Sequence, residues 1–187
     1  MKISDILKED KVTLTYEVFP PRAGDSYESV AEKARAIAEL RPAFMSVTYG
    51  AGGKINHIQH LKEKVEAGCE FLITQMFFDN SIFYNFLYRI REQGIEVPVI
   101  AGIMPVTNAK QVKRITQLSG NYLPEKFKAV VDRFGSDPAA MRQAGVAYAT
   151  GQIIDLIANG VNHIHVFTMN KPEVAQGIHA SLSELLK

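Results

Sequence analysis

Apolar residues along this chain fall into five short, dense runs, separated by longer stretches in which they recur every three or four positions. The runs are Val12–Phe19, Phe44–Tyr49, Glu70–Phe77, Val97–Ile103 and His163–Thr168, each rich in β-branched or aromatic residues. Most lack strict apolar–polar alternation, which is the pattern of parallel strands covered on both faces. Between them the period changes to that of amphipathic helices, and the start signals are readable. Asp25-x-x-Glu28 reads as a capping box opening a helix to about Leu40. Asn56-x-x-Gln59 opens the next, with Ile58, Leu61 and Val65 on its apolar stripe. Asp79 or Ser81 caps a third, which buries Ile82, Phe83, Phe86, Leu87 and Ile90 and stops at Gly94.

After the fourth run the connection lengthens. Asn108-x-x-Gln111 opens one helix, Pro124 to Phe134 forms another, and Asp137-Pro138 begins a long one ending at Asn159-Gly160. Asn170 caps the terminal helix, with Pro172 in its first turn and Glu173 at N3. Strand and helix alternate throughout, so the chain is α/β, built of right-handed βαβ units on a parallel sheet. Neither a linker nor a fixed-period repeat divides it, and residues 1–187 are expected to form a single domain. An open doubly wound sheet and a (β/α) barrel both fit that alternation. A complete eight-stranded barrel takes roughly 250 residues, so five strands in 187 residues favour the open sheet.

In either architecture ligands gather at the carboxyl ends of the strands. The first strand ends in Glu17 followed by Phe19-Pro20-Pro21-Arg22, and the second offers Thr48 and Tyr49 before Gly50-Ala51-Gly52-Gly53. The third offers Thr74, Gln75 and Asp79, the fourth Thr107 and Asn108, and the fifth Thr168, Asn170 and Lys171. Five exits with hydrogen-bonding or ionisable groups at one end mark a binding face. Glu17 has two readings: an exposed carboxylate on an edge strand, or a buried acid able to donate a proton near neutrality. Gln75 and Thr48 are equally placed to cap neighbouring backbone groups. Asp79 fits a helix cap better than a ligand.

Composition narrows the partners. The chain is 47% hydrophobic and 22% charged with a formal net charge of +1, so no electrostatic case exists for nucleic acid or an anionic membrane. The basic cluster from Lys110 to Arg114 reads as a solvated helix face. A single cysteine, Cys69, excludes an intramolecular disulfide and a zinc knuckle, suits a reducing cytosol, and reads as a buried structural thiol. His57 and His60 lie three apart with no third ligand at metal spacing; they read as solvent-facing, and no metal is expected. His163 and His165 alternate on the last strand, where satisfied core or rim histidines are the common outcome. The glycine loop is not a dinucleotide fingerprint, because Ile55 stands where the third glycine belongs. No apolar run reaches the ~20 residues of a membrane span, and the N-terminus lacks a signal-peptide core, so a cytoplasmic protein is expected.

Taken together, the strand ends resemble one family. "YEVFPPR", "FMSVTYGAGG", "LKEKVEAGCEFLITQMFFDN", "VPVIAGIMPVTN" and "HIHVFTMNK" are similar to segments of methylenetetrahydrofolate reductases, in the family's order from Val12 to Leu186. The resemblance implies a (β/α)8 TIM barrel that uses FAD and NAD(P)H to reduce 5,10-methylenetetrahydrofolate to 5-methyltetrahydrofolate, in one-carbon metabolism and methionine synthesis. It implies that Glu17 is the catalytic acid of an E-x-F-P-P motif, protonating N10 of the folate and opening the ring to an iminium at N5. Flavin N5 would then deliver hydride. The proline pair would end the strand and hold the acid at the barrel mouth. By the same resemblance Gln75 hydrogen-bonds the pterin, Thr48 lies near the flavin and Lys64 reaches its phosphates. Lys171 stands where the family often has arginine near the folate's glutamate tail, keeping the charge but losing the bidentate fork. Lacking a C-terminal extension, the chain is expected to match the shorter bacterial type.

One departure is large. In the family, the segment after "SVTYGAGG" runs on through strands ending "HLTC", "RGD" and "YPE", none of which is present in this chain. About three βα units, on the order of a hundred residues, are missing near 53–55 by the usual barrel repeat. Those units carry most of the family's flavin contacts, and His57 stands where the family usually has an aspartate. FAD binding is therefore in doubt. Five parallel strands cannot close a filled barrel at the usual tilt and shear. The expected fold is a parallel sheet of βα units derived from the barrel, truncated to about five strands and ordered 3-4-5-1-2, with strained closure of strand two onto strand three as the alternative. Raw edges on such a sheet invite self-association, so a homo-oligomer that completes the barrel is a further expectation, as is a folate-binding remnant without redox activity.

Overall fold

A computed structural model describes residues 2–9, 11–19, 26–47, 58–112, 115 and 123–187, the side chains of Gln59 and His60 apart. Pro20, Pro21, Arg22, Asp25, Thr48, Tyr49, the glycine loop, Asn56 and His57 lie outside the described residues. The strands are β1 (Thr13–Val18), β2 (Met45–Val47), β3 (Leu72–Ile73), β4 (Val99–Ile103) and β5 (His163–Phe167). All pair in parallel, in the order β2-β1-β5-β4-β3. Counted from the other edge, that is the expected 3-4-5-1-2. The helices are α1 (Ile3–Ile6), α2 (Tyr27–Ala38), α3 (Ile58–Glu66), α4 (Asn80–Glu92), α5 (Glu125–Phe134), α6 (Pro138–Ala158) and α7 (Pro172–Ser181). Residues 109–112 are helical as well.

The sheet is a curled half-barrel, and among the described residues its two edges meet at their entrances. Phe44 and Phe71, each immediately before an edge strand, bring their rings to 6.3 Å. Further along, Val47 is 67% exposed and Ile73 is 37% exposed, and no ladder joins β2 to β3 among the described residues. Curling brings the outer strands together without the strained closure that was the alternative. Among the described residues both edge strands are short, three and two residues, which limits the unpaired backbone they present.

Side-chain alternation divides the sheet. Leu14, Tyr16, Val18, Ala101, Ile103, Ile164 and Val166 face the helices, packing with Ile37, Phe83, Ile90, Ile153, Leu156 and Ile178. The concave face carries Thr13, Thr15, Glu17, Ser46, His163, His165 and Phe167. The short helix α1, which the apolar pattern did not predict, lies at the amino ends of the strands. Ser4 Oγ donates to Glu70 Oε2 at 3.0 Å, and the Leu7 carbonyl lies 3.0 Å from His163 Nε2. Beyond the exit of β4 a second apolar cluster joins Met104 and Val106 to Phe78, Phe127 and Met141, with the Phe78 and Phe127 rings stacked at 5.0 Å.

Most helix signals hold, with shifts. Asp79 caps α4 and Asp137 caps α6, each accepting from a backbone N–H two residues on. Asn108 accepts from the Lys110 N–H and Gln111 from the Thr107 N–H, so two side chains cap the start of 109–112. The cap of α2 is Ser26, accepting from the Ser29 N–H, rather than Asp25. Ile82 is 42% exposed rather than buried, because the apolar stripe of α4 runs through Phe83, Phe86, Leu87 and Ile90.

Gly145 on α6 has the closest backbone approach among the described glycines. A Cβ there would lie 1.8 Å from the Val106 carbonyl oxygen. Alanine elsewhere in a helix gains about 1 kcal/mol over glycine, but here the backbone contact outweighs it. Gly145→Ala is expected to destabilise the protein by about 3 kcal/mol in urea unfolding; a neutral or stabilising result would refute the close approach.

Candidate active site at the carboxyl-terminal rim

Because every strand runs the same way, all five exits lie on one rim. Glu17 is the penultimate residue of β1 and only 2% exposed. β1 lies between β2 and β5, with Glu17 in register with Ser46 on one side and Phe167 on the other. The exposed edge-strand reading therefore fails, and Glu17 is a buried acid on the concave face.

Below it is a satisfied polar layer. Thr15 Oγ1 donates to the Ile164 carbonyl at 3.1 Å and lies 2.7 Å from His165 Nδ1. With the Thr15 proton so used, His165 donates from Nδ1, and its Nε2 accepts from Ser46 Oγ at 3.2 Å. His163 repeats the pattern inverted. Its Nε2 donates to the Leu7 carbonyl, so its Nδ1 accepts from Thr13 Oγ1 at 2.8 Å. Both histidines are satisfied, His165 in the core and His163 half-buried at the entrance of β5. Burial lowers the pKa of His163 and brings that of His165 down to about 4.

The β5 exit binds the β1 exit. Thr168 Oγ1 donates to the Glu17 carbonyl at 2.7 Å. Asn170 was expected to cap the terminal helix. Instead its Oδ1 accepts from the Phe19 N–H at 2.7 Å and its Nδ2 donates to the Phe19 carbonyl at 3.0 Å. Met169 and Asn170 both sit in the left-handed region, at φ 55° and 56°, a cost of about 1 kcal/mol or more each that surrounding structure must hold. Lys171 takes the cap position without a side-chain cap bond, and its Nζ donates to Thr107 Oγ1 at 2.6 Å.

At the β3 exit, the Thr74 hydroxyl accepts from the Gly102 N–H at 2.9 Å, ending the ladder with a side chain. A Cβ at Gly102 would lie 2.4 Å from the Thr74 carbonyl and 2.8 Å from the Phe167 ring, so the sheet needs glycine here. Gln75 follows, exposed at the rim. The loop behind it is latched by α6: Gln152 Nε2 donates to the Phe77 carbonyl at 3.2 Å and Tyr148 to the Phe78 carbonyl at 2.7 Å.

The structure thus gathers Glu17, Gln75 and Lys171 on one rim. Thr48 lies outside the described residues. Lys64 is exposed in the last turn of α3, a helix that runs back toward the amino ends of the strands, away from that rim. Asn170 as a backbone clamp was missed by sequence reasoning, although asparagine tolerates positive φ better than most residues. Cys69 is half-buried, its thiol donating to the Phe71 carbonyl at 3.0 Å. Among the described residues no helix is long and apolar enough to cross a membrane, and no acidic, histidine or cysteine cluster is arranged for a metal ion.

The buried imidazole sets a pH dependence. Below about pH 6.5 the unfolded chain binds a proton at His165 that the folded chain refuses until about pH 4. Stability held above that window is therefore lost as pH falls through it, on the order of 3 kcal/mol in full. Urea unfolding at a series of pH values is expected to show that slope, and His165→Gln to flatten it. A variant with the wild-type slope would contradict the assignment.

Comparison with known proteins agrees with the geometry. The family model described as methylenetetrahydrofolate reductase matches residues 2–58 and 54–183. A maize protein named methylenetetrahydrofolate reductase (NADH) 1 is 34% identical over 151 residues, covering 78% of this chain and 26% of that protein. A 5,10-methylenetetrahydrofolate reductase of Pectobacterium carotovorum is 31% identical over 174 residues, covering 93% of this chain and 53% of that protein. This chain thus spans between about a quarter and about half of these two relatives. Among solved structures, an uncharacterised Clostridium thermocellum protein, described as binding two copies of 5-methyl-5,6,7,8-tetrahydrofolic acid, superposes with a TM-score of 0.63. It is 12% identical, and the match covers 96% of this chain and 97% of that one, which establishes the shared fold. With two family matches that together run from residue 2 to residue 183, the chain belongs to the methylenetetrahydrofolate reductase family.

Proposed function

We propose that this chain acts on reduced folate at the carboxyl-terminal rim of its sheet, in the reduction of 5,10-methylenetetrahydrofolate to 5-methyltetrahydrofolate. Glu17 is the acid: it donates a proton to N10, the C–N bond to the bridging methylene breaks, and an iminium forms at N5. That step needs a protonated carboxyl beside a leaving amine, and burial disfavours the charged form of a carboxyl. Gln75 hydrogen-bonds the pterin from the β3 exit. Lys171, tied to Thr107, meets the anionic glutamate tail as a single point charge. The observation that carries this reading is the burial of Glu17 in mid-sheet, on the rim shared with Gln75 and Lys171.

The family's FAD, when bound, would supply hydride, with NADH or NADPH as the reductant. Relatives carry either nicotinamide in their names. Of the residues expected to meet flavin, Lys64 stands in the last turn of α3, and Thr48 lies outside the described residues. The two-piece family match meeting at 54–58 supports a deletion of the βα units that hold flavin in the family.

A second reading, folate binding without redox chemistry, is favoured by the fold neighbour of equal length and its described ligand. Absorbance of the purified protein and calorimetry with 5-methyltetrahydrofolate separate the two. The reductase reading expects bound or acquired FAD and folate-dependent turnover, with Glu17→Gln lowering turnover by about a hundredfold while folate affinity stays within about threefold. A colourless protein that refuses FAD yet binds folate establishes the second reading, and a protein that binds neither ends both.

A further inference from the structure

The exit of β1 is held by side chains where backbone can no longer hold it. The β1–β5 ladder ends at the pair Glu17–Phe167, after which β5 turns left-handed at Met169 and offers no further rung. The Asn170 carboxamide, which carries the same C=O and N–H chemistry as a peptide group, supplies both halves of a rung to Phe19. Next in the chain come Pro20 and Pro21, neither of which has an N–H to donate. The Glu17 carbonyl is held one step earlier by Thr168. The same turn carries Lys171 across to Thr107 beyond β4.

Resting on the folate reading above, we infer that Asn170 is a positioning residue for Glu17. Its carboxamide fixes the last backbone segment that aims the acid, and its left-handed turn sets the distance from that acid to the Lys171 cation. The strain of two consecutive non-glycine residues at positive φ is retained because this geometry requires it.

Asn170→Gly is the decisive variant, since glycine is at home at φ 56° and keeps the turn while deleting the carboxamide. The expected results are Phe19 amide exchange accelerated by about tenfold or more, and a displaced ¹³C resonance of the Glu17 carboxyl. In folate-dependent turnover kcat is expected to fall about tenfold with KM within about threefold. Asn170→Asp keeps the acceptor for the Phe19 N–H but loses the donor, and is expected to fall between the two on every measure. Faster Phe19 exchange with an unmoved Glu17 resonance would make Asn170 merely structural and overturn the inference. A raised KM at unchanged kcat would do the same. If the wild-type protein shows neither turnover nor folate binding, the folate reading fails, whereas exchange and the carboxyl resonance still decide the role of Asn170.

Discussion

The ladder between β1 and β5, in register from Thr13–His163 to Glu17–Phe167, is the constraint on which the rest of the molecule depends. It joins residues about 150 positions apart, so it can form only after both ends of the chain are in place. Once formed, it puts β1 in mid-sheet, turns Leu14, Tyr16 and Val18 into the helix-facing core, and buries Glu17. A carboxyl at the same place on an edge strand would meet water.

The concave face beneath Glu17 is polar and bonded. Hydroxyl and imidazole groups removed from water cost free energy unless each finds a partner. Here the threonines of β1 are matched across the ladder with the histidines of β5, and Ser46 and Leu7 take the remaining imidazole nitrogens. A filled barrel would place bulky branched residues in such layers. Here Thr–His pairs occupy that face, with the Phe167 ring over Gly102. The edges are handled by shortness and by the Phe44–Phe71 contact at their entrances.

The site follows the same logic. Strand exits on one rim are a consequence of parallel topology, but the placement of each group is local. Glu17 is placed by Thr168 and Asn170, the Gln75 loop by Thr74, Gln152 and Tyr148, and Lys171 by Thr107. Thr74, Thr107, Thr168 and Asn170 stand within the segments that resemble the family, Gln152 and Tyr148 stand outside them, and each bonds a segment distant in sequence.

The strand order followed from the family resemblance, while period and punctuation in the sequence were enough for the five strands and most helix starts. Strands and helix starts depend on neighbours within a few residues. The sequence could not reveal whether Glu17 was buried, that the two histidines would pair with the two threonines, or that Asn170 would leave the helix cap for the backbone of Phe19. An asparagine before a helix has good local reasons to cap it. What overrides them is a distant backbone group that only the folded sheet brings within hydrogen-bonding reach. Short-range preference is written in the chain, whereas the choice among competing partners is made by long-range contact.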